Sequence, residues 1–70
     1  MNIEEIKELY RAIPFQPFDI VLTDGSTVHV GHPDFMALSP RGRTLFVYES
    51  DGFRIIDIPL IVALKVHEAA

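Results

Sequence analysis

Turn signals punctuate this chain so closely that little but short strands fits between them. Asp24-Gly25, Gly31-His32-Pro33-Asp34, Ser39-Pro40-Arg41-Gly42-Arg43, Ser50-Asp51-Gly52 and Pro59 follow one another at short intervals. Each contains glycine, proline or a short polar residue, the types that set turn backbone angles. The runs between them are too short for ordinary helices and suit strands of about five or six residues. Thr44–Glu49, "TLFVYE", is aromatic and β-branched, as strands prefer. Many short strands with turns between them imply a small barrel or sandwich.

The first hairpin fixes its own register. Phe18, Ile20 and Leu22 alternate with Asp19, Val21 and Thr23, and Val28 and Val30 carry the return. A two-residue Asp24-Gly25 loop would set Ile20 opposite His29. A three-residue loop, Thr23-Asp24-Gly25, pairs Leu22 with Ser26, Ile20 with Val28 and Phe18 with Val30. Only the longer loop collects the apolar residues on one face, because a one-residue slip inverts every side chain. It also puts Gly25 where a type I turn with a bulge needs a left-handed residue.

Further strands are expected at Phe35–Leu38, Thr44–Glu49, Phe53–Ile58 and Val62–His67, with a single helical turn over Ile58–Ile61. Pro59 cannot donate in a ladder, so the strand before it ends or kinks there. Only the N-terminus has helical spacing. Ile3, Ile6, Tyr10 and Ile13 form one stripe, Asn2 can cap it, and Glu5 stands three residues on as in a capping box. Pro14 ends the helix. "PFQPF" at 14–18 has the prolines of an SH3-type ligand, but its apolar character favours Phe15 and Phe18 as packing between helix and sheet.

The chain has 70 residues and no cysteine, so neither disulfides nor thiolate metal sites can support it. We read residues 1–70 as one domain, a helix over 2–13 followed by a β-barrel over 18–67. Apolar residues make up 49%, more than a domain with so much surface can hide, so a subunit interface is expected to take the surplus. The start is acidic, unlike a signal peptide, and no apolar run is long enough to span a bilayer; no membrane contact and a cytoplasmic location are expected. A net charge of −4 disfavours a broad phosphate-binding surface.

"DIVLTDG" at 19–25 is similar to the first strand and turn of Sm proteins, and "IIDIPLIVALKV" at 55–66 to their closing strand, short turn and strand. The fold this resemblance implies is mainly β with one N-terminal helix, a small five- to six-stranded antiparallel barrel of the Sm-like or SH3-like kind. The RNA-reading loops of Sm proteins are not matched: "GHPDF" stands in place of the first, without its Asn, and Asp57-Ile58 falls where an Arg-Gly pair would. No RNA-contacting residue is carried over. The pattern "PF-x-PF", "L-x-DG", "HP-x-F", "LSP" also resembles a group of short uncharacterised bacterial proteins, and implies no activity.

His29, His32 and Asp34 have the side chains of a zinc or nickel site. Their spacing opposes it, since His29 falls on the outer face of its strand and the turn would have to redirect His32. The simpler reading is a corner where Pro33 sets the bend and Asp34 accepts backbone hydrogen bonds; no metal or cofactor is expected. Ser26, Ser39 and Ser50 fall at turns, where serine is ordinary. His29 with Asp19 or Asp34 has the types of a base and its orienter, but a nucleophile and oxyanion donors must converge with them, and no enzyme is expected. Arg41 and Arg43 form the densest positive charge. They are candidates for RNA-phosphate contact, with Phe46 and Tyr48 as stacking partners, although a solvated turn is the ordinary reading.

The expected function is that of a small self-associating module that binds another protein, with Sm-like single-stranded RNA binding as the alternative. The contact between copies, in a dimer or ring, is expected on Phe53, Ile55, Ile58, Leu60, Val62 and Leu64. Here "IIDIPLIVAL" is apolar on both faces and few charges block edge pairing.

Overall fold

The computed structural model describes residues 1–68. Helix α1 covers Ile3–Arg11. Asn2 caps it, its Oδ1 accepting the Glu4 N–H at 2.9 Å. Glu4 and Glu5 stand in the first turn and Arg11 in the last, each sign matched to the helix dipole. The helix is shorter than the expected 2–13, because Ala12 is already extended. Ile6 is fully buried, and Ile3 and Tyr10 pack partly against the core. Ile13 falls beyond the last turn and is 97% exposed, so the apolar stripe stops with the helix.

Six strands follow: β1 Phe18–Leu22, β2 Thr27–Val30, β3 Met36–Leu38, β4 Thr44–Glu49, β5 Gly52–Asp57 and β6 Ile61–Val66. Short 3-10 turns at Pro33–Phe35 and Ile58–Leu60 lead into β3 and β6. The strands form two antiparallel three-stranded sheets, ordered β2-β1-β6 and β3-β4-β5. Among the described residues no ladder joins the two sheets into a closed barrel. β5 and β6 each lie at the edge of a sheet.

The first hairpin has the register that face alternation requires. Phe18 pairs with Val30 and Ile20 with Val28. The Leu22 N–H donates to Ser26 O at 2.9 Å, and the Gly25 N–H to Leu22 O at 2.9 Å. Gly25 has a φ of 85°, the left-handed conformation the loop needs. β6 completes this sheet with a bulge: Leu22 pairs with Ile61 but Val21 with Ala63, leaving Val62 outside the ladder.

Both sheets turn apolar sides to one core. Ile6, Phe18, Ile20, Val28, Val30, Leu45 and Val47 are at most 1% exposed, with Met36, Ile56, Ile58 and Ile61 close behind. Phe15 packs against Phe18, ring centroids 5.9 Å apart, as the packing reading of "PFQPF" requires. Two residues expected at a subunit contact belong inside instead. Ile58 is buried because it shares the inward parity of Ile56, and Leu64 packs partly against the core. Among the described residues, no helix is long and apolar enough to cross a membrane.

Candidate functional site

The outer face of the first sheet gathers three side chains of complementary chemistry. Asp19 lies on the central strand, and the hairpin register puts His29 directly opposite on β2. On the other side Asp19 faces Lys65, and His67 follows two residues later on the same face of the chain. The His67 N–H donates to Pro17 O at 2.8 Å, extending the β1–β6 alignment by one step and fixing where the imidazole starts.

The Asp19 carboxylate meets both rings. Its Oδ1 is 2.7 Å from His29 Nδ1 and its Oδ2 is 2.8 Å from His67 Nε2. The rings meet edge to face, centroids 5.6 Å apart. Hydrogen bonds from His29 and then His67 hold the Asp19 carboxyl below the usual aspartate range, against a weaker upward push from burial. An ionised carboxylate only accepts, so each of these ring nitrogens carries a hydrogen and donates. The Asp19 side chain is 19% exposed, while those of His29 and His67 are 60% and 46% exposed. The cluster is therefore open to solvent above and supported by the sheet below.

The expected trio of His29, His32 and Asp34 is not brought together. His32 instead caps the Pro33–Phe35 turn, its Nδ1 accepting the Asp34 N–H at 3.1 Å. That lone pair is thereby used, and the 3.6 Å approach of Asp34 Oδ2 to the same nitrogen adds no hydrogen bond. Pro33 opens the turn as expected, but the Asp34 carboxylate accepts no backbone hydrogen bond among the described residues; His32 accepts and Asp34 supplies the backbone donor. Two of the three serines are likewise committed. Ser26 Oγ donates to Asp24 Oδ1 at 2.6 Å, and Ser39 Oγ accepts the N–H groups of Arg43 and Thr44 at 3.2 and 3.1 Å. Ser39 thus shapes the arginine turn.

Arg41 and Arg43 are exposed, and among the described residues neither forms an ion pair. Gly42 between them lies against the helix; a Cβ there would come within 3.2 Å of the Ile3 side chain. Tyr48 is at the far end of β4, roughly 16 Å from Arg43 at about 3.3 Å per residue. Tyr48 and Phe35 border a groove of about 410 Å³ whose other lining residues include His29, Glu49 and Asp51. The aromatic end is therefore acidic, and the basic turn is remote from it.

The outer face of the second sheet is apolar. Cross-strand pairs Phe46–Ile55 and Tyr48–Phe53 cover β4 and β5, the latter rings 6.0 Å apart. Ile55 and Leu60 share a groove of about 240 Å³. Tyr48, Phe53, Ile55 and Leu60 are each half or more exposed, as is Val62 on the neighbouring β6 edge of the first sheet.

His67 is the member of the polar cluster that sequence reading missed. No local pattern links it to Asp19, and only the pairing of β6 with β1 does so. The Asp19–His29 contact was implicit in the hairpin register. No protein-family model, curated protein or solved structure matches the chain.

Proposed function

We propose that this chain is a small self-associating interaction module, built on a framework of the Sm-like or SH3-like kind, that works by binding protein in the cytoplasm. The observation that carries this reading is the apolar strip Phe53–Ile55–Leu60–Val62, flanked by Tyr48 and bounded by two open strand edges. Monomers rarely leave contiguous apolar patches of this kind in water. Exposed strand edges pair readily with another chain unless charge, proline or a bulge blocks them. β5 has one internal charge, Arg54, which is engaged by Glu49 at 3.3 Å. The proposed occupant is a second copy of this chain, because an apolar strip beside open strand edges suits the isologous contact that symmetric dimers use.

The alternative, single-stranded RNA binding through Arg41 and Arg43, has less support. The arginines and the exposed aromatics lie at opposite ends of β4, and the aromatic end carries Glu49 and Asp51.

Light scattering at micromolar concentration should give the mass of a dimer or larger assembly. The double variant Phe53→Asp, Ile55→Asp should give a monomer with unchanged far-UV circular dichroism. A wild-type monomer whose melt is independent of concentration would sink the proposal. Tight RNA binding that weakens steeply with salt and is lost in Arg41→Ala, Arg43→Ala would put the alternative in its place.

A further inference from the structure

We propose that Asp19, His29 and His67 form a binding site for a divalent transition-metal ion of the zinc type. None of its three residues belongs to the apolar strip, although Val62 of that strip lies on β6 of the same sheet. Three ligand atoms, one from each residue, lie within 4.8 Å of one another, and no other group of such residues does so among those described. Two imidazoles and a carboxylate suit borderline ions such as zinc, cobalt or nickel better than calcium or magnesium, which prefer oxygen.

The geometry is close to what such an ion needs. Zinc–nitrogen and zinc–oxygen bonds of about 2.0–2.1 Å at tetrahedral angles put ligand atoms about 3.3 Å apart. The present separations of 2.7 and 2.8 Å between each ring nitrogen and its carboxylate oxygen are hydrogen-bond distances. These contacts use different carboxylate oxygens, so with one oxygen as ligand its own contact opens by roughly 0.5–0.6 Å, and the remaining ligand separations, all within 4.8 Å, come toward about 3.3 Å. Both side chains are about half exposed and neither belongs to the buried core, so this movement meets no core packing. Asp19 belongs to the central strand and its position is set by ladders on both sides.

The proton balance is simple. His29 Nδ1 and His67 Nε2 each give up a hydrogen to become a donor of electrons to the metal. A neutral ring moves that hydrogen to its other nitrogen, Nε2 on His29 and Nδ1 on His67; a protonated ring releases it to water. His29 Nε2 lies on the Gly31 side, where even an added Cβ would stand 3.5 Å away, so there is room for the displaced hydrogen. Asp19 is already ionised and supplies the negative charge. Three protein ligands leave the remaining positions to water or to an exogenous ligand, an open site rather than a closed structural one. Lys65 is the one cation paired across from Asp19 on this face, and it opposes the ion's charge.

Cobalt(II) titration, followed by visible absorption and by calorimetry, tests the site, with zinc as the competing ion. One cobalt per chain should bind, with the absorption of a four- or five-coordinate ion, and zinc should displace it. Asp19→Asn and His67→Ala should each weaken binding by more than about 10-fold, the loss that even an outer-shell change causes. His32→Ala should leave affinity unchanged. His67→Ala removes an exposed ring outside the ladder, so its fold is expected to persist, and circular dichroism checks this. Binding of equal strength in His67→Ala, binding lost only in His32→Ala, or no binding at millimolar metal would each overturn the proposal.

Discussion

The two sheets share one core but present opposite outer faces to the surroundings. The β1–β2 hairpin follows strict alternation, and β6 joins it past its bulge: Phe18, Ile20, Val28 and Val30 turn in, while Asp19, Thr27, His29 and Lys65 turn out. The β3-β4-β5 sheet keeps Leu45, Val47 and Ile56 inside, yet its outer pairs are Phe46–Ile55 and Tyr48–Phe53. An antiparallel sheet with one wet face normally alternates. Apart from Val62 at its bulged edge, the first sheet hides its large apolar side chains within the chain, and the second has apolar surface left for a partner. The hairpins differ in the same sense. The β1–β2 turn is tied by Asp24 to the Ser26 hydroxyl and backbone N–H, whereas no side chain bonds the Ser50–Asp51 turn in that way among the described residues.

The comparison breaks most sharply on side-chain deletions. Leu45→Ala removes a fully buried side chain and should cost about 2–5 kcal/mol in urea denaturation. Ile55→Ala acts on the outer face of the same sheet and should stay within about 0.5 kcal/mol at dilutions where the protein is monomeric. Equal losses there would mean that Ile55 is covered within its own chain. A smaller effect separates two glycines at the ends of β2. Gly25→Ala forces a left-handed backbone on an ordinary residue with no nearby atoms to clash, and should cost about 1–2 kcal/mol. Gly31 has no such backbone, and Gly31→Ala should be neutral or slightly stabilising in the same denaturation series. The smallest effect concerns pH. Hydrogen bonds from Ser26, first the hydroxyl and then the backbone N–H, hold the Asp24 carboxyl below its ordinary range. A depressed folded value stabilises the fold above the ordinary aspartate range, and this contribution fades as pH falls through the folded value. The melting-temperature gap between wild type and Asp24→Ala should therefore narrow as pH is lowered.

Strand positions were legible wherever alternation and turn chemistry agreed. Thr44–Glu49 forms β4 with the bounds its composition predicts, and Gly25 takes the left-handed position that face alternation demanded. Parity also explains the errors. Phe53 and Ile55 face out, so Ile58, offset by an odd number of residues, turns inward with Ile56. The polar cluster was only half legible. Asp19 and His29 meet because a local turn sets the register, but His67 arrives through a pairing of distant strands, and no short window of sequence carries that information. The apolar strip was readable as surplus hydrophobicity, although its inner and outer members were not separable without the bulge.

That bulge at Val62 also governs how such a chain tolerates changes in length. Ile61, Leu64 and Val66 all lie on the core side of β6, although the first two are separated by an odd count, and Val62 absorbs the mismatch. Deleting Val62 would leave a regular strand with every later residue still on its present side. Deleting any one of residues 63–66 would exchange the two sides for part of the strand and shift His67 away from Asp19. Indels in natural variants should therefore accumulate at position 62 and be purged just after it.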